Sequence, residues 1–109
     1  MTRVLIAVLM LAVPAQADGW RVMSGAEITR ALTDRTLIYS AATQRFYASG
    51  RTLYDAGRES WGYWAVRGDQ YCSQWPPSDG WDFYDMATDG TQLRFIASDG
   101  STTDGAFAE

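Results

Sequence analysis

The chain reads as a mainly β protein. The expected form is a curved antiparallel meander of about seven short strands, an incomplete barrel, carrying one short N-terminal helix. Three observations point there. Short segments rich in aromatic and β-branched residues follow one another from residue 37 onward. Turn dipeptides such as Ser49-Gly50, Asp89-Gly90 and Asp99-Gly100 separate them. A helical stripe with a recognisable start occurs once, near the N-terminus.

The chain begins with a basic Met1-Thr2-Arg3, an apolar run from Val4 to Val13, and Pro14-Ala15-Gln16-Ala17. Those are the three parts of a secretory signal peptide, residues 1–17, with cleavage expected after Ala17. About ten apolar residues are too few to span a bilayer, which needs ~20. No later stretch is long and apolar enough to do so. The mature part, 18–109, is expected to be one small β-rich domain, periplasmic or secreted, and a monomer.

The helix begins at Ser24-Gly25-Ala26-Glu27, a Ser-x-x-Glu capping box. The serine hydroxyl accepts from the Glu27 amide, and the carboxylate reaches back to the Ser24 amide. Met23 and Ile28 occupy the two staple positions. The spacing predicts a helix over 25–33, with Ile28, Ala31 and Leu32 as its apolar stripe, able to plug one end of a curved sheet.

The strands then follow in order: Leu37–Tyr39, Arg45–Ala48, Thr52–Tyr54, Ser60–Arg67, Gln70–Trp75, Trp81–Thr88 and Gln92–Ala97. Asp-Gly pairs, including Asp104-Gly105, mark turns because both residue types tolerate positive φ. They lack the acidic spacing of a calcium loop. The tail, 98–109, is small and polar, expected to add one edge strand or to fray.

Residues 70–86, QYCSQWPPSDGWDFYDM, hold the single cysteine. Pro76 and Pro77 cannot donate to a ladder and belong in a loop. A hairpin around Pro77-Ser78 pairs Gln74 with Trp81, Ser73 with Asp82, Cys72 with Phe83 and Tyr71 with Tyr84. Cys72 and Phe83 then share one sheet face, with Cβ atoms ~4.5–5.5 Å apart. Cys72 is read as a small buried hydrophobe filling the interior; the alternatives are a reactive thiol or an intermolecular disulfide.

Thr36-Leu37 after the helix, Gly62-x-Trp64-x-Val66, Tyr71-Cys72 and Trp81-Asp82-x-Tyr84-Asp85 resemble a family of small, exported, uncharacterised proteins of Gram-negative bacteria. The resemblance covers the mature chain and implies fold and export; it implies no activity. In that family a second cysteine commonly follows the turn, at the position of Phe83 here. The resemblance therefore implies a cross-strand disulfide that this chain has replaced with a ring.

Composition narrows the chemistry. The chain has no histidine, and all nine of its basic residues are arginine. Histidine-dependent triads are excluded, and one cysteine cannot build a thiolate metal site. No glycine-rich phosphate loop precedes the helix. With a formal net charge of −4 and no basic cluster, nucleic acid is not an expected partner. No cofactor and no catalytic residue is assigned. Asp82 and Asp85 lie three apart on one strand, hence on opposite faces. Asp85 shares its face with Trp81 and Phe83, while Asp55 and Glu59 flank a turn and are read as solvated.

What remains is aromatic density. Trp61 and Tyr63 share one strand face, and Trp64 and Val66 take the other. One set must face outward. Trp61, Tyr63, Trp75, Trp81 and Tyr84 form the candidate binding patch. The expected function is non-enzymatic binding of a protein or small ligand by that patch. An enzyme acting on glycan or cell-wall material through two carboxylates is the alternative, and a structural envelope protein with no site is another.

Overall fold

The structure is a computed structural model, and it describes residues 19–108. The expected signal peptide lies outside the described residues. The elements run β1 (Arg21–Val22), α1 (Gly25–Leu32), β2 (Arg35–Ile38), β3 (Thr43–Phe46), β4 (Arg51–Asp55) and β5 (Glu59–Arg67). Then come β6 (Gln70–Gln74), β7 (Trp81–Thr88), β8 (Gln92–Ala97) and β9 (Thr102–Phe107).

All pairings are antiparallel. Strands β2 to β9 each pair with the next in sequence, and β9 returns to β2. The result is a closed eight-stranded up-and-down barrel with β1 as an extra strand. The expected incomplete barrel of about seven strands is thereby corrected. The strand that makes the difference is β9. The tail expected to fray or add an edge instead enters between β8 and β2, and closure leaves no open edge there. Asp104-Gly105, expected as a turn, lies inside that strand and pairs with Arg94 and Leu93. β1 was not expected; it pairs with the last two residues of β7, along the edge that β6 occupies further up.

Local sequence explains most of this. Ser24 Oγ accepts from the Glu27 amide at 3.2 Å, and Glu27 Oε1 accepts from the Ser24 amide at 2.9 Å. That hydrogen bond to the Ser24 amide, helped by Arg21 at 2.9 Å, holds the Glu27 carboxyl below its ordinary range. The two staple residues, Met23 and Ile28, both enter the core. Asp34 takes a left-handed φ of 58°, which its short polar side chain tolerates, and turns the chain from α1 into β2. Gly90 and Gly100 take positive φ in the β7–β8 and β8–β9 turns.

Turns in a meander alternate between the two ends of a barrel. The α1–β2, β3–β4, β5–β6 and β7–β8 connections share one end. The β2–β3, β4–β5, β6–β7 and β8–β9 connections share the other. α1 packs on β2, β5 and β6 at the first end, where Ile28 and Leu32 are fully buried. They meet Leu37, Phe46, Trp64, Met86 and Leu93 in one cluster. Helix placement as a plug thus follows the sequence expectation.

The helix is pinned to the barrel by a close approach at its first residue. The Gly25 amide donates to Asp69 Oδ1 at 2.7 Å in the β5–β6 turn. A Cβ at Gly25 would overlap the Gly68 carbonyl oxygen. Alanine is ordinarily the better helix former by ~1 kcal/mol. Here Gly25→Ala is expected to destabilise by about 1–3 kcal/mol, because backbone must move on both sides of the contact. Thermal unfolding followed by circular dichroism would register this as a lower Tm, by ~4–8 °C per kcal/mol; a raised Tm would refute the packing.

Candidate functional site

The helix fills one end of the barrel; the other end holds a cavity of about 700 Å³. Its walls come from alternate residues of the strands, the inward set fixed by the two-residue period. Seven aromatic residues line it: Tyr39, Tyr54, Trp61, Tyr71, Trp75, Tyr84 and Phe95. Gln44, Ser60, Ser73 and Thr103 add an amide and three hydroxyls, and residues 40–42 of the β2–β3 turn form part of the rim. No Asp, Glu or Arg is among the lining residues.

Phe95 sits at the centre of the floor. Its ring meets Tyr71 edge-on at 5.0 Å, Tyr39 at 6.1 Å and Tyr84 at 6.2 Å between centroids. Beneath it, Phe46 stacks at 6.4 Å and carries the floor down into the core. Aromatic pairs at these separations add roughly 0.5–1.5 kcal/mol each beyond their burial.

A polar chain crosses the same floor. Tyr39 Oη donates to Gln44 Oε1 at 2.7 Å, and Gln44 Nε2 donates to Thr52 Oγ1 at 3.0 Å and, more weakly, to Tyr71 Oη at 3.4 Å. Thr52 Oγ1 donates onward to the Arg45 carbonyl at 2.8 Å. Gln44 and Thr52 are buried, so these bonds satisfy groups that would otherwise be costly. Burial pushes the Tyr39 and Tyr71 phenols far above their ordinary value, and Tyr84 is raised for the same first reason.

Two glycines make room for the wall. Trp75 lies over Gly62, where a Cβ would come within 2.6 Å of its ring and 2.7 Å of the Gln74 carbonyl oxygen. The Trp75 indole N–H donates to Ser73 Oγ at 3.2 Å, and the ring meets Tyr54 edge-on. Tyr39 lies over Gly105 in the same way, 2.9 Å from a would-be Cβ.

The candidate patch is divided between two places. Trp61, Trp75 and Tyr84 line the cavity, Trp61 from its edge. Tyr63, Trp81 and Phe83 belong to the outer wall; Trp61, Tyr63 and Phe83 are 44%, 42% and 41% exposed. As expected, Trp61 and Tyr63 face away from Trp64. They stand under arginine: the Arg51 guanidinium lies 4.5 Å from the Trp61 ring and 5.8 Å from Tyr63, and Arg67 lies 4.7 Å from Trp81. Tyr47 stacks on Trp61 at 5.8 Å. Sequence reasoning passed over Tyr39, Gln44, Tyr54, Ser73 and Phe95. A strict inward–outward alternation carried through every strand would have placed the cavity side of β6, Tyr71, Ser73 and Trp75, on one face.

The β6–β7 register is the expected one, with Cys72 opposite Phe83. Cys72 is buried, yet it faces outward, with Ala65 and Phe83 as its neighbours across the strands, and stands outside the barrel core. The expected burial holds; the expectation that it fills the barrel interior is corrected. Burial raises its thiol, and the nearby Arg67 charge opposes that rise. With its sulfur shielded from water and the thiol form favoured, it lacks the character of a nucleophile.

Asp82 and Asp85 are on opposite faces of β7, and Asp85 accepts from Gln70 Nε2 at 3.1 Å. Asp55 accepts from the Gly57 amide at 2.9 Å within its own turn. Among the described residues no three acidic or cysteine side chains group as a metal site, and no helix is long and apolar enough to cross a membrane. No protein-family model, no curated protein and no solved structure matches this chain.

Proposed function

We propose that this domain is a non-enzymatic binding module that holds one small molecule in the open end of its barrel, and that it does so after export. The observation that carries the reading is the ring-lined, uncharged cavity of about 700 Å³ opposite the helix. Eight strands enclose an interior just wide enough to be filled by side chains or to take one small ligand. Here the helix half is filled and the other half is not. Pockets of this size, apolar with a few convergent polar groups, are the usual form of a small-molecule site. Export is supported by the signal-peptide pattern of residues 1–17 and by the resemblance to small exported proteins. The carboxylate-enzyme alternative draws no support from the cavity, since no acidic residue lines it.

Ser60 lies at the cavity lining, is exposed, and contributes little to the core. Ser60→Trp is expected to fill the opening and leave the fold intact. With the neutral fluorophore phenylnaphthylamine as probe, the unaltered protein should enhance its emission and the variant should not, at unchanged Tm. Equal enhancement by both proteins, or none by the unaltered one, would overturn the reading.

A further inference from the structure

Taking the cavity reading as its base, we infer that the ligand is a flat, uncharged ring system with a hydrogen-bond donor at one edge. Three features of the lining select that class. The first is charge. A charged ligand would lose its hydration in a cavity whose lining offers no opposite charge, a cost that nothing repays.

The second is the state of the polar atoms. Tyr39 Oη, Gln44 Nε2 and the Trp75 indole N–H all donate already, to Gln44 Oε1, to Thr52 and to Ser73 respectively. Ser60, Ser73 and Thr103 add three hydroxyls to the lining, fewer partners than a disaccharide with a hydroxyl on nearly every carbon requires. A single edge donor is different. Gln44 Oε1 accepts from Tyr39 and retains a second lone pair. One ligand O–H or N–H can be met there without breaking the existing chain.

The third is the shape of the walls. Phe95 is edge-on to Tyr39, Tyr71 and Tyr84. Trp75 is seated closely over Gly62 and edge-on to Tyr54. These rings are held in place by packing, so they present fixed faces and edges. A rigid planar ligand gains offset-stacked and edge-to-face contacts from them, which a flexible chain gains less well and at greater loss of freedom.

Calorimetric titration of the intact domain with naphthol, naphthoate, decanol and maltose separates the possibilities. Naphthol is expected to bind about tenfold or more tightly than each of the others, a difference of ~1.4 kcal/mol. Trp75→Leu is expected to weaken naphthol several-fold by removing one wall. Naphthoate, decanol or maltose binding as well as naphthol would keep the cavity as a site and overturn the ligand class, as would a naphthol affinity indifferent to Trp75→Leu. Binding of none of the four would overturn the cavity reading itself.

Discussion

Phe46→Ala is expected to remove about 3–5 kcal/mol of stability, enough to leave much of the population unfolded at moderate temperature. Phe46 is fully buried on β3, paired with Thr52 across the ladder. Its ring meets Trp64 and Tyr71 edge-on at 5.7 and 5.9 Å and stacks on Phe95 at 6.4 Å. It therefore joins the helix-capped core to the floor of the cavity. Truncation loses the transfer free energy of the ring and leaves a void, because the closed barrel wall cannot collapse to fill it. Denaturant unfolding of the variant beside the unaltered protein gives the measurement. A loss below about 1 kcal/mol would mean that the ring does not occupy the centre of the barrel.

Alkaline conditions should unfold the domain for a reason specific to its cavity floor. In the unfolded chain a tyrosine phenol ionises near pH ~10. In the folded protein Tyr39 and Tyr71 are held protonated far above that, chiefly by burial. Their folded values are raised, so the stability they contribute is whole below pH ~10 and falls as pH rises toward those values. Each such group removes about 1.4 kcal/mol per pH unit over that window, and the pair together about 3. A domain of this size has ~5–13 kcal/mol at most, so a cooperative transition is expected above the ordinary phenol value. Tyrosinate absorbance and the β signal in circular dichroism should change together. Gradual titration of every tyrosine near pH ~10, with the β signal intact, would contradict the burial of these two.

The elements were legible because their signals are local. The Ser24–Glu27 box and the Met23–Ile28 staple describe one helix start without reference to anything distant. The β6–β7 register was legible as well. Two prolines confine the loop, and a two-residue period then pairs Cys72 with Phe83 without further choice. The closing strand was not. Thr102–Phe107 has small residues and an Asp-Gly pair, which locally favour a turn. It becomes a strand because β8 and β2 each offer it a ladder, and because Tyr39 needs the missing side chain at Gly105.

The candidate site shows the same division. Its aromatic content and lack of histidine were plain from composition. That Trp61, Trp75 and Tyr84 border a cavity while Tyr63 and Trp81 stand outside beside Arg51 and Arg67 was not. A strand's period separates two faces but does not say which one is inside; closure of the sheet decides that.

By itself, then, the sequence determined the helix and its N-terminal cap, seven of the strands, the hairpin opposite Cys72 and the chemistries that are excluded. Tertiary structure alone decided that the meander closes, that the sulfur faces outward, and that the end opposite the helix stays hollow. The physical reason is range. Caps, turns and alternation act over a few residues, whereas closure joins β9 to β2 across most of the chain and only then defines an inside.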